Sequence, residues 1–458
     1  MIQPHHDHDY EPDKPAIRRV RPRWWAVGLA GVTGLAVTTT LGIGGAPAIG
    51  AVERTVTAAD DRPGKPDRAP TNNKDHKGKA KKDKRKGTPV PCSADALIAA
   101  ITLANARGGA VLDLAKDCTY LLTADIDGAG LPAITTPITL NGSKHTTIKR
   151  AAAAPLFRIL TVDIGGDLTL HHLKITGGQT DGNGGGVLVN PGGALTTNYS
   201  AITRNIVEGD GGGIANLGTT TIRDSTVSYN SSADEAGGIL NTGLLNVGRS
   251  RFTSNSAADF SGAIGSFNGA TAEVQDSTFT RNRARAGAGI GDFRAITTIV
   301  NSNFAHNSSS FGGGIFIEGQ LTLRHVTVVN NTAVTQGGGI NVQNIFGVSA
   351  AIIEESKISE NTTAGVGGGI IGVRSPVALR NTKIIDNLAE AQGGGIYNTF
   401  DGTFVLFSTK VVKNAAVNDG GGIFNEPGGT VELNPATGTT VVKNRPNNCS
   451  GDVPGCTG

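Results

Sequence analysis

The chain has 458 residues, a net charge of only +3, 17% charged and 5% aromatic residues, and 66 glycines, about twice the usual share. The charge is unevenly spread: residues 52–91 hold 12 Lys/Arg against 6 Asp/Glu and residues 1–51 hold 5 against 4, so 92–458 carry −4. A mildly acidic main body gives no electrostatic case for nucleic-acid binding.

Residues 1–51 read as a leader. His5, His6 and His8 lie in a polar stretch, and Arg18, Arg19, Arg21 and Arg23 precede an apolar run from Trp24 to about Ile49. A basic flank, an apolar core and the small-residue site Ala46-Pro47-Ala48 fit a secretory signal peptide, while the length of the run also permits a membrane anchor. Residues 52–91 are rich in Pro, Lys and Asp, culminating in Lys77–Lys86. Such a stretch cannot bury a core. It reads as a disordered basic linker, either a plain spacer or a tether to an anionic polymer.

Residues 92–119 read as an N-terminal cap. Ser93 is placed to cap a helix running to about Ala106, with Leu97, Ile98, Ile101 and Ala104 on one face and Gly108 ending it. Such a helix would cover the open edge of whatever sheet follows. The chain has four cysteines. In an exported chain they suggest one disulfide at each end, Cys92–Cys118 and Cys449–Cys456, the latter in a tail at 446–458.

Residues 120–445 are a repeat. A Gly-rich run closed by an apolar residue ends at Val187, Ile214, Ile239, Ile264, Ile290, Ile315, Ile340, Ile370, Ile396 and Ile423. An Asn recurs at Asn205, Asn230, Asn255, Asn282, Asn307, Asn331, Asn361, Asn387, Asn414 and Asn444. Three places before Asn stands an apolar residue such as Phe252, Phe279 or Phe304, and two before that usually Ser or Thr. A period near 25 residues means stacked supersecondary units. Gly interrupts every unit, so the Thr-, Val- and Ile-rich pieces are short strands. Strands recurring once per unit pair in parallel with the unit beneath. The expected fold is all-β: a single-stranded parallel β-helix of about 12 coils, roughly 55–60 Å long at ~4.8 Å per coil. The Asn column would form an amide ladder, Asn being tolerant of a left-handed backbone. Ten Gly runs in register read as structural corners and not as phosphate loops.

The sequence Phe252–Ile264, with Phe279–Ile290 and Phe304–Ile315, resembles the polymorphic outer-membrane protein repeat. The span 120–445 resembles right-handed parallel β-helix proteins of the pectin-lyase-like superfamily. That resemblance implies a right-handed coil and chemistry on its outer surface: lyases with Asp-held calcium and an Arg or Lys base, or hydrolases with clustered Asp. Polymorphic outer-membrane proteins continue into a membrane β-barrel. None follows Gly458 here, so autotransport is not expected.

One acidic set suits such chemistry. Asp181, Glu208, Asp210, Asp234, Glu235 and Asp259 each lie just before a Gly corner, and stacked coils would bring them onto one side, with Gln336, Gln392 and Asp419 in similar places. Asp210, Asp234, Glu235 and Asp259 are the catalytic candidates, and Asp181, Asp210, Asp234 and Asp259 the candidates for a Ca²⁺ site. Arg281, Arg283 and Arg285 sit one coil on. No other cofactor is expected. The leading expectation is an exported, non-catalytic, monomeric β-helix, secreted or attached to the cell surface. It would present a long face to cell-wall or extracellular polysaccharide or to a protein. A polysaccharide lyase or glycoside hydrolase, and a purely structural spacer, are the alternatives.

Overall fold

The structure, a computed structural model, describes residues 87–457 apart from Phe346 and Val348. The expected leader, and the linker as far as residue 86, lie outside the described residues. No described helix is long and apolar enough to cross a membrane.

The described chain winds into a parallel β-helix of about 13 turns. One side is a sheet of 24 strands, the next a sheet of 13 strands, and the third a row of two- to five-residue strands. In one typical coil the strands are Ile214–Asn216, Thr219–Arg223, Thr226–Ser228 and Ser231–Ser232. Each pairs in parallel with its counterpart about 25 residues later, as Val227↔Phe252 shows. The 13-stranded sheet holds one strand per coil, one more than expected: ten strands precede a ladder Asn, and Thr119–Leu122, Thr147–Arg150 and Lys174–Thr176 form the first coils without one.

The core is built from the expected columns. Phe252, Phe279 and Phe304 are fully buried and stack face to face, with centroids 4.8 and 4.5 Å apart. The ladder residues Asn205, Asn230, Asn255, Asn282, Asn307, Asn331, Asn361, Asn387 and Asn414 are likewise buried. Each donates its Nδ2–H to the Oδ1 of the Asn one coil on, for example Asn230 to Asn255 at 3.0 Å and Asn282 to Asn307 at 3.0 Å. The same Oδ1 also accepts the backbone N–H of the previous Asn. The ladder starts at the Gly178 N–H, which donates to Asn205, and ends on Asn448. The Gly runs make room for it: a Cβ on Gly213 would lie 2.6 Å from the Gly238 oxygen and 3.0 Å from the Asn230 amide nitrogen.

The left-handed backbone expected of the Asn residues belongs instead to the residue before each of them, including Arg204, Tyr229, Arg281, His306 and Lys413 at φ 55, 55, 55, 58 and 59°. The ladder Asn needs a backbone N–H aimed along the axis, so its exposed predecessor takes the strained turn.

The ends are closed as expected. The helix Ala94–Ala106 buries Leu97, Ile101 and Ala104. Ser93 stands at its N-cap but its side chain makes no capping hydrogen bond. Both disulfides form as paired in the sequence reading, Cys92–Cys118 and Cys449–Cys456. Two segments are more ordered than their composition suggests. Thr88–Val90, inside the expected linker, pairs with Leu112–Leu114, and Cys449–Ser450, in the expected tail, pairs with Ile423–Phe424.

Candidate functional site: an acidic and aromatic groove beside the glycine corner

The residue just before each corner forms a column on the outer surface: Asn183, Asp210, Glu235, Phe260, Ala286, Phe311, Gln336 and so on to Gln392 and Asp419. Its carbonyl accepts the N–H of the corner residue one coil earlier, as Asp210 O does from Gly184 and Glu235 O from Gly211. The side chains climb the same column. The Asn183 Oδ1 accepts the Asp210 N–H at 2.9 Å, and the Asp210 Oδ1 accepts the Glu235 N–H at 3.0 Å. This hydrogen-bonded stack holds the Asp210 and Glu235 carboxyls side by side on successive coils.

The other wall comes from the strand after each corner. Its outward side chains, Leu217, Leu240, Phe267 and Phe293, form with Phe260 and Ala236 a small apolar cluster separate from the core. Phe260 packs edge-on against Phe267 and Phe316, at centroid distances of 6.0 and 5.1 Å. Between the walls lies a groove of about 530 Å³, lined by Asn183, Asp210, Glu235, Asp259, Arg285 and the three rings Phe260, Phe267 and Phe293, among others.

The electrostatics follow from partial burial among like charges. The Glu235 carboxyl is pushed up to about 7, first by desolvation and then by Asp210, Asp234 and Asp259. Asp210 is also raised, chiefly by burial, against the lowering effect of the Glu235 N–H. Asp259 instead forms an ion pair with Arg285. The groove therefore offers a protonatable carboxyl, a carboxylate acceptor and aromatic surface within one wall-to-wall span.

The corner residue is Gly with positive φ in eight coils, at Gly184, Gly211, Gly287, Gly312, Gly337, Gly367, Gly393 and Gly420. The two exceptions are Ala236 at φ 57° and Ser261 at φ 61°, both directly behind groove residues. Ser261 is fully buried and its hydroxyl has no hydrogen-bond partner. A Cβ on Gly291 would clash with that hydroxyl, so the neighbouring coil yields its side chain to Ser261. A non-Gly residue in this conformation costs roughly 1–2 kcal/mol. The two strained corners coincide with the groove.

Of the candidate acids, Asp210, Glu235 and Asp259 line the groove. Asp234 is exposed at its edge and acts on Glu235 through its charge. Asp181 and Glu208 lie farther out and exposed. They stand three places before the left-handed corner residue, whereas the groove acids stand one or two before it. Arg281 and Arg283 are exposed and do not line the groove. Among the described residues no three His, Cys, Asp or Glu side chains are grouped to hold a metal ion. The calcium candidates Asp181, Asp210, Asp234 and Asp259 stand three, one, two and two places before their corner residues. Asp419, far along the column, is held instead by Asn447, Ser450 and the Gly420 N–H. The aromatic wall was not anticipated. Its signal was present, since Phe260, Phe267 and Phe293 are the Phe residues of this region that fall outside the buried Phe252–Phe279–Phe304 column.

No family model matches the chain and no curated protein matches it. The resemblance to the polymorphic outer-membrane protein repeat thus rests on the repeat residues alone. Among solved structures the chain is similar to pectate lyase Pel9A, at 13% identity over 62% of this chain and 72% of that one, TM-score 0.39. It is similar to the A-module of the Azotobacter vinelandii mannuronan C-5 epimerase AlgE6, at 14% identity over 76% and 94%, TM-score 0.37. A third similarity is to the tailspike protein of E. coli bacteriophage HK620 in complex with a pentasaccharide, at 12% identity over 70% and 67%, TM-score 0.32.

Proposed function

We propose that this is an exported β-helix whose outer groove binds a glycan without catalysis. The observation that carries the reading is that Phe260, Phe267 and Phe293 line one open groove together with Asp210, Glu235 and Asp259. Aromatic rings take the apolar faces of sugar rings, and carboxyl groups accept hydrogen bonds from sugar hydroxyls. An acidic groove repels a polyuronate, so the ligand class is a neutral glycan or one carrying amino sugars. Two disulfides support a route through an oxidising compartment. The test is a panel of neutral, amino and acidic oligosaccharides measured by calorimetry against the whole chain and Phe260→Ala. Binding confined to neutral or amino sugars, weakened at least tenfold in the variant, is expected. Silence across the panel, or binding indifferent to Phe260, would reject the proposal.

One observation favours a second reading, glycoside hydrolysis. Glu235, pushed up to about 7, would be a general acid near neutral pH, with Asp210 beside it as the second carboxyl. The groove's cation, Arg285, is engaged by Asp259, which makes β-elimination the weaker catalytic option. Product release from a bound oligosaccharide, abolished by Glu235→Gln with affinity retained, would establish hydrolysis in place of simple binding.

A further inference from the structure

The 13-stranded sheet lies on a different side of the coil from the groove, and its outward charges are arranged in an unusual way. The first residues of Lys357–Ser359, Lys383–Ile385 and Lys410–Val412 are stacked directly upon one another: Lys357↔Lys383 and Lys383↔Lys410. All three are exposed. Past the adjoining corner, Lys413, Lys443 and Arg445 line a cleft of about 650 Å³ together with Asn414, Ala415 and Asn444.

Like charges in direct register destabilise a sheet. Among the described residues, the strand registers of the 24-stranded sheet contain no such pair. On that sheet the coil before the three lysine coils and the first two of these coils stack Arg324↔Glu354↔Arg380, with Arg324 and Glu354 paired at 2.8 Å. Arg249 likewise pairs with Asp224 one coil back. None of Lys357, Lys383, Lys410, Lys413, Lys443 and Arg445 belongs to an ion pair among the described residues. The carboxylates nearest in sequence on this side are Glu360 and Asp386, three positions past Lys357 and Lys383. Glu355, on the preceding turn, is taken by His325 at 2.8 Å.

We propose that this face binds a linear carboxylated polysaccharide lying along the helix axis. The stacked strands set the lysines at ~4.8 Å intervals, a continuous row of positive charge along the axis that is complementary to a chain carrying one carboxylate per sugar. Lysine ammonium groups are mobile point charges, suited to a repeating anion without fixed geometry. The alternative polyanion, single-stranded nucleic acid, is held on aromatic platforms between cations. The side chains in register between the lysines and the Asn ladder are Ser359, Ile385 and Val412, which supply no ring. This site is independent of the acidic groove, which repels the same polymer.

The test measures binding of polygalacturonate to the full chain across a salt series, with neutral dextran and single-stranded DNA as competing probes. The triple variant Lys357→Gln, Lys383→Gln, Lys410→Gln keeps residues 1–91 intact, so any loss belongs to the face. Binding should be strong at low salt, and the slope of log affinity against log salt should fall by about 2 in the variant, by the counterion-release rule. The Lys→Arg triple should retain the wild-type slope, and Phe260→Ala should leave it unchanged. An unaltered slope in the Gln triple would overturn the proposal. So would equal binding of dextran, or tighter binding of DNA that is lost with the same three lysines.

Discussion

The buried carboxyl of Asp292, within the strand Ile290–Val300, gives the sharpest energetic expectation. Asn216 donates to Asn241 at 2.8 Å and Asn241 to Ser266 at 3.4 Å, forming a short internal polar ladder. Ser266 stands in register with Asp292, and Asp292 with Ile317. Asp292 is fully buried, and its two oxygens accept from the Ala295 N–H and the Thr297 hydroxyl, each at 2.8 Å. Burial dominates these hydrogen bonds and pushes the carboxyl from 3.8 up to about 6. The folded state therefore holds its proton more tightly than the unfolded state. The penalty is absent below the unfolded value, grows as pH rises from about 4 to about 6, and is constant above that. At 1.36 kcal/mol per pH unit of displacement it comes to ~3 kcal/mol at about pH 8 and ~1 kcal/mol at about pH 4.5. Asp292→Asn removes the charge and places an amide where Asn216 and Asn241 already show one accommodated. Urea unfolding followed by far-ultraviolet circular dichroism should find the variant more stable by up to ~3 kcal/mol at about pH 8, with the advantage shrinking by ~2 kcal/mol at about pH 4.5. A variant advantage that does not change with pH, or a loss of stability at pH 8, would refute the reasoning.

Other expectations follow from the same geometry. Asn282→Ala removes a residue that accepts from Asn255 and donates to Asn307, leaving buried partners unpaired above and below. A loss of roughly 3 kcal/mol or more is expected in the same unfolding assay, and a loss under 1 kcal/mol would show that the ladder is incidental. Ser261→Gly relieves a left-handed backbone and an unpartnered buried hydroxyl, so a gain of about 1 kcal/mol is expected. Destabilisation there would mean that Ser261 packing outweighs the strain. Opening Cys92–Cys118, which closes a separation of 26 residues, should cost about 1 kcal/mol more than opening Cys449–Cys456, with a separation of 7. Millimolar Ca²⁺ should leave Tm unchanged, since among the described residues no three acidic or His side chains are grouped to hold a cation. A rise in Tm that disappears in Asp210→Ala would restore the calcium reading.

How much of this was legible in advance depends on whether a residue's role repeats. Asn230, Asn255 and Asn282 were readable as a ladder because identical residues one coil apart must meet, whatever the fine structure of the corners. Phe252, Phe279 and Phe304 were readable as core for the same reason, and the cysteine pairs because each closes an end that lacks a neighbouring coil. The left-handed turns were misassigned to Asn, because period alone does not distinguish the residue that bends from the residue that bonds.

The sequence by itself thus determined the coil, its core, its ladder and its closed ends, since a 25-residue period permits one way of stacking like upon like. Only the tertiary structure decided which exposed residues face one another. Asp210 and Glu235 converge with Phe260, Phe267 and Phe293 while Asp181 and Glu208 do not, because a difference of one or two positions at a tight corner turns a side chain into the groove or out to solvent. The lysines of three successive coils become a single charged track for a related reason. Register across the sheet, which no single coil contains, sets their spacing.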